Sequence, residues 1–352
     1  MTALAVPAQS EEDTRLRPLP WRRMAWVTWR QHRTTLMAVA AFLGGLAVLM
    51  WLAGLKTHHV YAALVAACHP ASSVGCAAMS TTFIGTNGFL SNGFILQGLP
   101  ALIGAFAGAP VLARELESGT FRYAWTQGFG RWRWALAKVV LLALVMTAAA
   151  ELFSLLLSWY YQPYFTVGNQ VMGLEQVSPF TPGLFDLRGV AFAAWTLTAF
   201  AIGVLVGTLL RRVVPAIAVT LAAYAGLAFA TGGLLRQHYL APLLTSSPDV
   251  PGSSWITSQW WTKNGTFAFR GWPSDGVLQQ YCSNLPGGSG PGGKVGPEVL
   301  VQCLSRHGFT QWTSYQPVSR FWPFQGIEGG WLLLLSVLLL ALTVVLIRRR
   351  AA

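Results

Sequence analysis

Two acidic residues and a group of basic residues lie close together between two long apolar segments. Glu115 and Glu117 come directly before the polar break Ser118-Gly119-Thr120. Five cations occur in the same region: Arg114, Arg122, Arg131, Arg133 and Lys138. Such residues form charge-assisted contacts with another surface, whereas the sequence shows no recognisable nucleophile and base motif. The stretch therefore predicts a protein contact rather than an active site.

The apolar segments on either side determine where this charged stretch lies. Residues 94–113 and 135–159 are each long enough to cross a hydrocarbon core, which takes about 20 helical residues. Because short connections rich in Lys and Arg stay in the cytoplasm, we expect 114–134 to be a cytoplasmic loop. Thr120 can cap a short helix over 121–127. That helix would carry force from a cytoplasmic partner into two spans; the alternative is an interfacial loop whose charges are only solvated.

Composition indicates an integral membrane protein. Of the 352 residues, 53% are hydrophobic and only 10% are charged, which is too few charges to cover a soluble globule of this size. The mean hydropathy is +0.47. The net charge of +12 is spread over the ends of apolar segments, so it reflects membrane topology and does not predict nucleic-acid binding.

Six apolar stretches predict an all-α protein of the cell membrane with six transmembrane helices and both termini in the cytoplasm. We expect these spans at about 34–55, 94–113, 135–159, 187–210, 213–235 and 329–347. The resulting organisation has four parts: a cytoplasmic tail with an interfacial helix (1–33), spans 1 to 5 with their loops (34–235), an extracellular loop or domain (236–327), and span 6 with a basic cytoplasmic tail (328–352).

The run from Glu115 to Thr120 resembles the E-x-x-x-G-T signature of ABC-2-type transporter permeases, the membrane subunits of ABC exporters. Its position between the second and third of six spans strengthens the resemblance. In that family the loop forms a coupling helix docked on an ATP-binding subunit. The resemblance implies coupling roles for Glu115, Glu117, Gly119, Thr120, Phe121, Arg122 and Arg131.

The resemblance also implies partners. It predicts two copies of a cytoplasmic ABC ATPase, which would carry the ATP and Mg²⁺, and a second permease copy as a homodimer or a related heterodimer. This chain itself would hold no cofactor or metal and would not be an enzyme. Residues 21–33 resemble the family's N-terminal connecting helix, with the alternative that their Trp and Arg residues only anchor the foot of span 1.

Glu151 is the acidic residue that we place well inside the hydrocarbon zone, in span 3. A lone charge at that depth costs at least about 2.5 kcal/mol, so it should face protein or water, be protonated, or find a partner. One interpretation gives Glu151 a role in the translocation pathway. The other is a structural hydrogen bond to a neighbouring helix.

All four cysteines fall in segments assigned to the outside, where disulfides can persist. Cys68 and Cys76 share one loop, and Cys282 and Cys303 share another about two hundred residues away. We therefore expect two local bridges, because the spacing matches no common zinc pattern. Four unpaired thiols are the alternative.

These observations predict the permease subunit of an ATP-driven exporter, which moves a lipophilic or amphipathic drug, lipid or peptide by alternating access. One alternative is a secondary transporter in which Glu151 carries a proton, although the sequence shows no internal repeat with paired broken helices. Another is a membrane-embedded enzyme, which the absence of a catalytic motif disfavours.

Overall fold

The computed structural model describes residues 21–69, 74–86, 93–118, 131–171, 177–247, 250, 253–283 and 297–349. The helices up to residue 170 are α1 (Trp21–Ala67), α2 (Val74–Ile84), α3 (Gly93–Leu96), α4 (Leu99–Ile103), α5 (Pro110–Ser118) and α6 (Arg131–Gln170). The later ones are α7 (Val190–Leu210), α8 (Val213–Ala230), α9 (Asp275–Cys282), α10 (Pro297–Arg306) and α11 (Phe321–Arg349).

Six helical stretches in the described part of the chain are long and apolar enough to cross a membrane. They are α1, α4 with α5, α6, α7, α8 and α11, which we call spans 1 to 6 in chain order. The predicted helical membrane architecture is therefore confirmed.

The first helix runs without a break from Trp21 to Ala67. No Gly or Pro occurs between Trp21 and Arg33, so nothing in this sequence interrupts the helical backbone. Residues 21–33 are thus continuous with the helix of span 1, with no break between the two. The predicted position of these residues in the membrane interface stays a prediction.

A π-helical turn divides span 2. It covers Gly104–Gly108 and lies just before Pro110, where the missing N–H of proline interrupts the regular hydrogen-bond ladder. The backbone N–H of Ala109 donates to the carbonyl of Gly104 at 3.1 Å, a bond to the fifth preceding residue. Span 2 is thus irregular at its centre, as its Gly and Pro content indicates.

Spans 2 and 4 form the buried centre of the bundle, and spans 1, 5 and 6 have few buried side chains. Glycines allow the two central helices to approach closely. A Cβ atom added at Gly104 would overlap the backbone of Ala199, and one added at Gly203 would overlap the carbonyl of Gly104. Small residues of this kind permit tight backbone packing within a membrane.

An antiparallel four-stranded sheet lies between spans 5 and 6, in a region where the sequence analysis assigned no strands. The strands are β1 (Leu243–Thr245), β2 (Trp255–Lys263), β3 (Thr266–Arg270) and β4 (Phe309–Gln316), in the spatial order β1-β4-β2-β3. Asn264 and Gly265 both have positive φ and form the tight β2–β3 turn. Helices α9 and α10 pack on one face around the buried side chain of Trp261.

The base of the sheet is attached to the membrane bundle. Gln316 Nε2 donates to the carbonyl of Leu240 at 2.8 Å, and Arg320 Nη1 donates to the carbonyl of Ala241 at 2.6 Å. A cluster of aromatic rings, Phe180, Phe185, Phe321 and Phe324, packs beneath Trp255 of β2. These contacts join the sheet to the 177–189 segment and to the start of span 6.

Candidate functional site

The two carboxylates predicted to contact a partner each have a partner within this chain. Glu115 Oε1, near the end of span 2, accepts a hydrogen bond from Lys138 Nζ of span 3 at 2.6 Å. Glu117 Oε2 accepts from the backbone N–H of Val213 at 3.2 Å, at the first residue of span 5. A carboxylate at a helix N-terminus is favourable because the exposed N–H groups there carry partial positive charge. The end of span 2 is thus tied to spans 3 and 5.

The remaining residues predicted for coupling are only partly covered by the structure. Gly119, Thr120, Phe121 and Arg122 lie outside the described residues. Arg131 is the first residue of α6. The coupling helix and the roles assigned to these residues stay predictions.

Glu151 lies half-buried on span 3. On the same side of the helix, Leu144 and Leu155 are exposed by 64% and 57%, and Ser154 is buried; the next residue, Leu152, is 69% exposed. Within the described residues we find no hydrogen bond or ion pair for its carboxylate. The structure therefore shows Glu151 on an apolar surface, and its role in a pathway stays a prediction.

A second group of charges lies at the opposite end of the bundle, centred on Arg236. Its guanidinium Nε and Nη2 donate to Glu328 Oε2 and Oε1 at 3.0 and 2.8 Å, a bidentate pair. Nη2 also forms an ion pair with the carboxylate of Asp186. The side chains of Arg236 and Glu328 are 5% and 0% exposed. One guanidinium therefore links a fully buried carboxylate and a partly buried one, that of Asp186, which is 20% exposed. We call these three residues the Arg236 cluster.

Polar side chains from several elements complete the hydrogen bonding of the Arg236 cluster. Trp195 Nε1 of span 4 donates to Glu328 Oε1 at 2.9 Å, and the Tyr239 hydroxyl donates to Oε2 at 3.2 Å. Gln97 Nε2, which precedes span 2, donates to Asp186 Oδ2 at 2.8 Å. The ring of Phe185 lies 4.3 Å from the Arg236 guanidinium carbon. Spans 4, 5 and 6 and the segment before span 2 thus meet at one ionic site.

The charges in this cluster do not balance, because two carboxylates share one guanidinium. Burial raises the pKa of Asp186, and the nearby carboxylate of Glu328 acts in the same direction. The Arg236 guanidinium opposes this effect but is already bound by both oxygens of Glu328. The pKa of Asp186 therefore lies above the usual range of an aspartate.

The sequence analysis did not predict the Arg236 cluster, because it ended span 5 just before Arg236 and began span 6 just after Glu328. Span 6 begins at Phe321 in the structure, eight residues before the boundary of about 329 that hydropathy suggests. Phe321 and Phe324 are buried, and they lead at helical spacing to Glu328. That aromatic pattern was the available signal for an earlier start. Arg236, assigned to the extracellular region, lies directly after the π turn that extends span 5.

Both pairs of cysteines are bridged. Cys68 at the end of α1 is joined to Cys76 in α2, and Cys282 at the end of α9 is joined to Cys303 in α10. Their Cα atoms lie 4.6 and 6.1 Å apart, within the usual range for a disulfide. This is the local pairing expected from the sequence, and the described residues contain no free cysteine.

The described structure is that of a multi-pass membrane protein. It has six apolar helices, a centre packed through glycines, and charges at both ends that are paired within the chain. Residues 39–236 match the family model described as ABC-2 membrane transporter related. Since this match covers more than half of the chain, the protein belongs to that family and is the membrane component of a transporter. The match extends from span 1 to Arg236 and ends before the sheet. Comparison with curated proteins and with solved structures found no match.

Proposed function

We propose that this chain is the permease subunit of an ATP-driven exporter, with hydrolysis carried out by two copies of a separate cytoplasmic ABC ATPase. Family membership implies association with such an ATPase. The substrate class is lipophilic or amphipathic, in keeping with the apolar surfaces that the spans expose. A second permease copy completes the transporter.

The observation that best supports this function is the connection at the end of span 2. Glu115 is bonded to span 3 and Glu117 to span 5, so a displacement of the segment that follows Glu117 acts on three spans together. The Glu115–Lys138 pair is largely buried, and the Glu117 carboxylate lies at the N-terminus of span 5, where negative charge is favourable. In this proposal, closure of the ATPase dimer pushes on 119–130, and the two carboxylates pass the movement into the bundle.

The test is co-expression of this chain with its ABC ATPase, followed by pull-down, ATP hydrolysis in proteoliposomes and efflux of preloaded lipophilic dyes. Glu115→Ala and Gly119→Val should lower efflux per ATP hydrolysed while leaving membrane insertion unchanged. Asp275→Asn, an exposed change in the first turn of α9, is the matched control. Nucleotide hydrolysis by the isolated chain, or unchanged efflux in both variants, would contradict the proposal.

A proton-coupled transporter remains the alternative because Glu151 is half-buried on an apolar face and has no ion pair among the described residues. In that case Glu151→Gln would abolish the pH dependence of transport, since the amide keeps the shape of the side chain but cannot carry the proton. Efflux that continues without ATP and stops when the proton gradient is collapsed would favour this alternative.

A further inference from the structure

A groove opens between spans 1 and 3 on the outer surface of the bundle. The two helices run side by side in the same direction, because His58 bonds to the carbonyl of Trp159 and Tyr61 bonds to Thr166 further along. The groove has a volume of about 420 Å³ and an almost entirely apolar lining. Leu36, Leu43 and Ala47 contribute to its wall from span 1. Met146, Phe153 and Leu156 contribute from span 3.

The length of the groove fits one membrane leaflet. The part of the groove that both helices line runs from Leu36 to Ala47 on span 1 and from Val145 to Leu156 on span 3, a rise of about 17 Å on each. Trp29, the one lining residue before Leu36, lies about two turns below this part. The hydrocarbon core is about 30 Å thick, so one leaflet contributes about 15 Å. A transmembrane helix of a partner would need about twice the length of this two-walled part. Its dimensions therefore suit an acyl chain.

A basic residue lies at the foot of this groove. Arg33 follows Trp29 by four residues and precedes Met37 by four, which places it on the helical face of these two lining residues. Arg33 is exposed, and within the described ranges it has no ion pair or hydrogen bond. Helical side chains lean toward the N-terminus, so its guanidinium reaches away from the hydrocarbon toward the headgroup layer.

The surrounding charges at this end of the bundle are mainly positive. Arg30 is exposed and stacks on Trp26, with 5.4 Å from the guanidinium carbon to the ring centre. His32 lies close enough to Lys138 and Arg114 to interact with both charges. Lys138 is paired with Glu115, so a positive excess remains around the foot of the groove. This charge is complementary to an anionic headgroup.

We propose that the groove binds one acyl chain of an anionic phospholipid from the leaflet at the N-terminal end of span 1, with the phosphate on Arg33. Apolar contacts alone give little preference in a membrane, because every lipid tail can make them. Selectivity comes from the guanidinium, which donates paired hydrogen bonds to a phosphate. One cation near an anionic lipid corresponds to about fivefold in affinity. Binding requires neither the ATPase nor transport, so it is tested separately from the proposed function.

Two neighbouring glycines allow a matched test of the groove. An added Cβ at Gly44 or at Gly45 meets no atom within 4 Å, so both positions accept a larger side chain. Gly44 lines the groove, whereas Gly45 is exposed outside it. Gly44→Leu should fill the space of the acyl chain. Gly45→Leu makes the same change in helix propensity and side-chain size but leaves the groove open.

Two arginines provide the corresponding test of the headgroup. Arg33→Gln removes the charge at the foot of the groove. Arg270→Gln removes an exposed charge on β3, away from the foot of the groove. The first change should lower the preference for an anionic lipid about fivefold, and the second should leave most of it.

Native mass spectrometry of the full-length chain, purified from vesicles with equal amounts of phosphatidylglycerol and phosphatidylcholine, measures the retained lipid. We expect one phosphatidylglycerol per chain, held about fivefold in preference to phosphatidylcholine, lost in Gly44→Leu and kept in both controls. Equal retention of the two lipids by the unmodified chain, or equal loss in Gly44→Leu and Gly45→Leu, would overturn the proposal. Cross-linking between copies through Gly44→Cys with no lipid retained would assign the groove to a second copy and would also overturn it.

Discussion

Lys138 Nζ, buried within the first turns of span 3, lies 2.6 Å from Glu115 Oε1 near the end of span 2. The two side chains differ in exposure, since Lys138 is 1% exposed and Glu115 is 19% exposed. The ammonium group therefore depends on protein neighbours for its solvation, whereas the carboxylate also reaches water. This asymmetry predicts which half of the pair is more costly to remove.

Glu115→Ala should destabilise the protein by about 3 kcal/mol, because it removes the carboxylate beside a buried ammonium group. Lys138→Met should cost about 1 kcal/mol or less, since the exposed edge of Glu115 can hydrate. The double variant should be more stable than Glu115→Ala alone. Thermal unfolding in detergent measures all three, and equal losses for the two single variants would contradict this account.

Arg236 is the only cation that the structure places between Asp186 and Glu328 within the described residues. Arg236→Gln should destabilise the bundle by about 3 kcal/mol, because it leaves the buried carboxylate of Glu328 facing the partly buried carboxylate of Asp186 without a cation between them. Changing Glu328 to Gln in the same chain should recover part of the loss. Arg270→Gln, an exposed change on β3, is the control and should have little effect. The midpoint of thermal unfolding gives the comparison.

The raised pKa of Asp186 predicts a pH dependence of stability. The folded state holds the Asp186 proton to a higher pH than the unfolded chain does, so this group stabilises the fold below the usual carboxyl pKa of about 4. That contribution decreases as the pH rises from about 4 through the folded-state pKa. Asp186→Asn should remove this dependence.

The measurement is the difference in unfolding midpoint between the unmodified chain and Asp186→Asn, taken at steps from pH 4 to pH 8. The unmodified chain should lose stability relative to the variant as the pH rises. Parallel curves would show that Asp186 titrates at its ordinary value. The other groups that face this carboxyl are the charges of Glu328 and Arg236, the amide of Gln97 and the hydroxyl of Tyr224.

The disulfide between Cys282 and Cys303 closes a segment with a sequence separation of 21 and joins α9 to α10. By reducing the entropy of the unfolded chain, this bridge can stabilise the folded state by up to about 3 kcal/mol. Replacing both cysteines with serine should therefore make the sheet region more sensitive to proteolysis while the spans stay protected. Non-reducing peptide mapping checks the pairing, and peptides that join Cys68 or Cys76 to either of these cysteines would contradict it.

The number and approximate positions of the spans follow from the sequence alone. Hydropathy and the clustering of Lys and Arg are local properties of a chain in a bilayer, because each helix must satisfy its own backbone hydrogen bonds. The local cysteine pairs follow in the same way from their separation in two distant loops. The family resemblance rests on a short run, Glu115 to Thr120, and the match over 39–236 supports it.

The sheet carried a local signal that hydropathy alone did not reveal. Asn264 and Gly265 lie between strands rich in aromatic and β-branched residues, a pattern typical of a two-residue hairpin. The β2–β3 hairpin was therefore predictable in principle. The pairing of β1 with β4 joins residues about 70 positions apart, and no local pattern indicates it.

Tertiary structure alone decided how the charges are used. Arg236 and Glu328 are 92 positions apart in the chain, and each resembles a span-end charge when it is considered by itself. Only the packing of spans 4, 5 and 6 brings the two side chains together. Their pairing offsets the cost of removing both charges from water, since a buried charge needs a partner at hydrogen-bonding distance. The same holds for Glu115 and Lys138. The sequence determined which residues enter the membrane, and the fold determined which charges meet there, because pairing depends on distances that residue order does not contain.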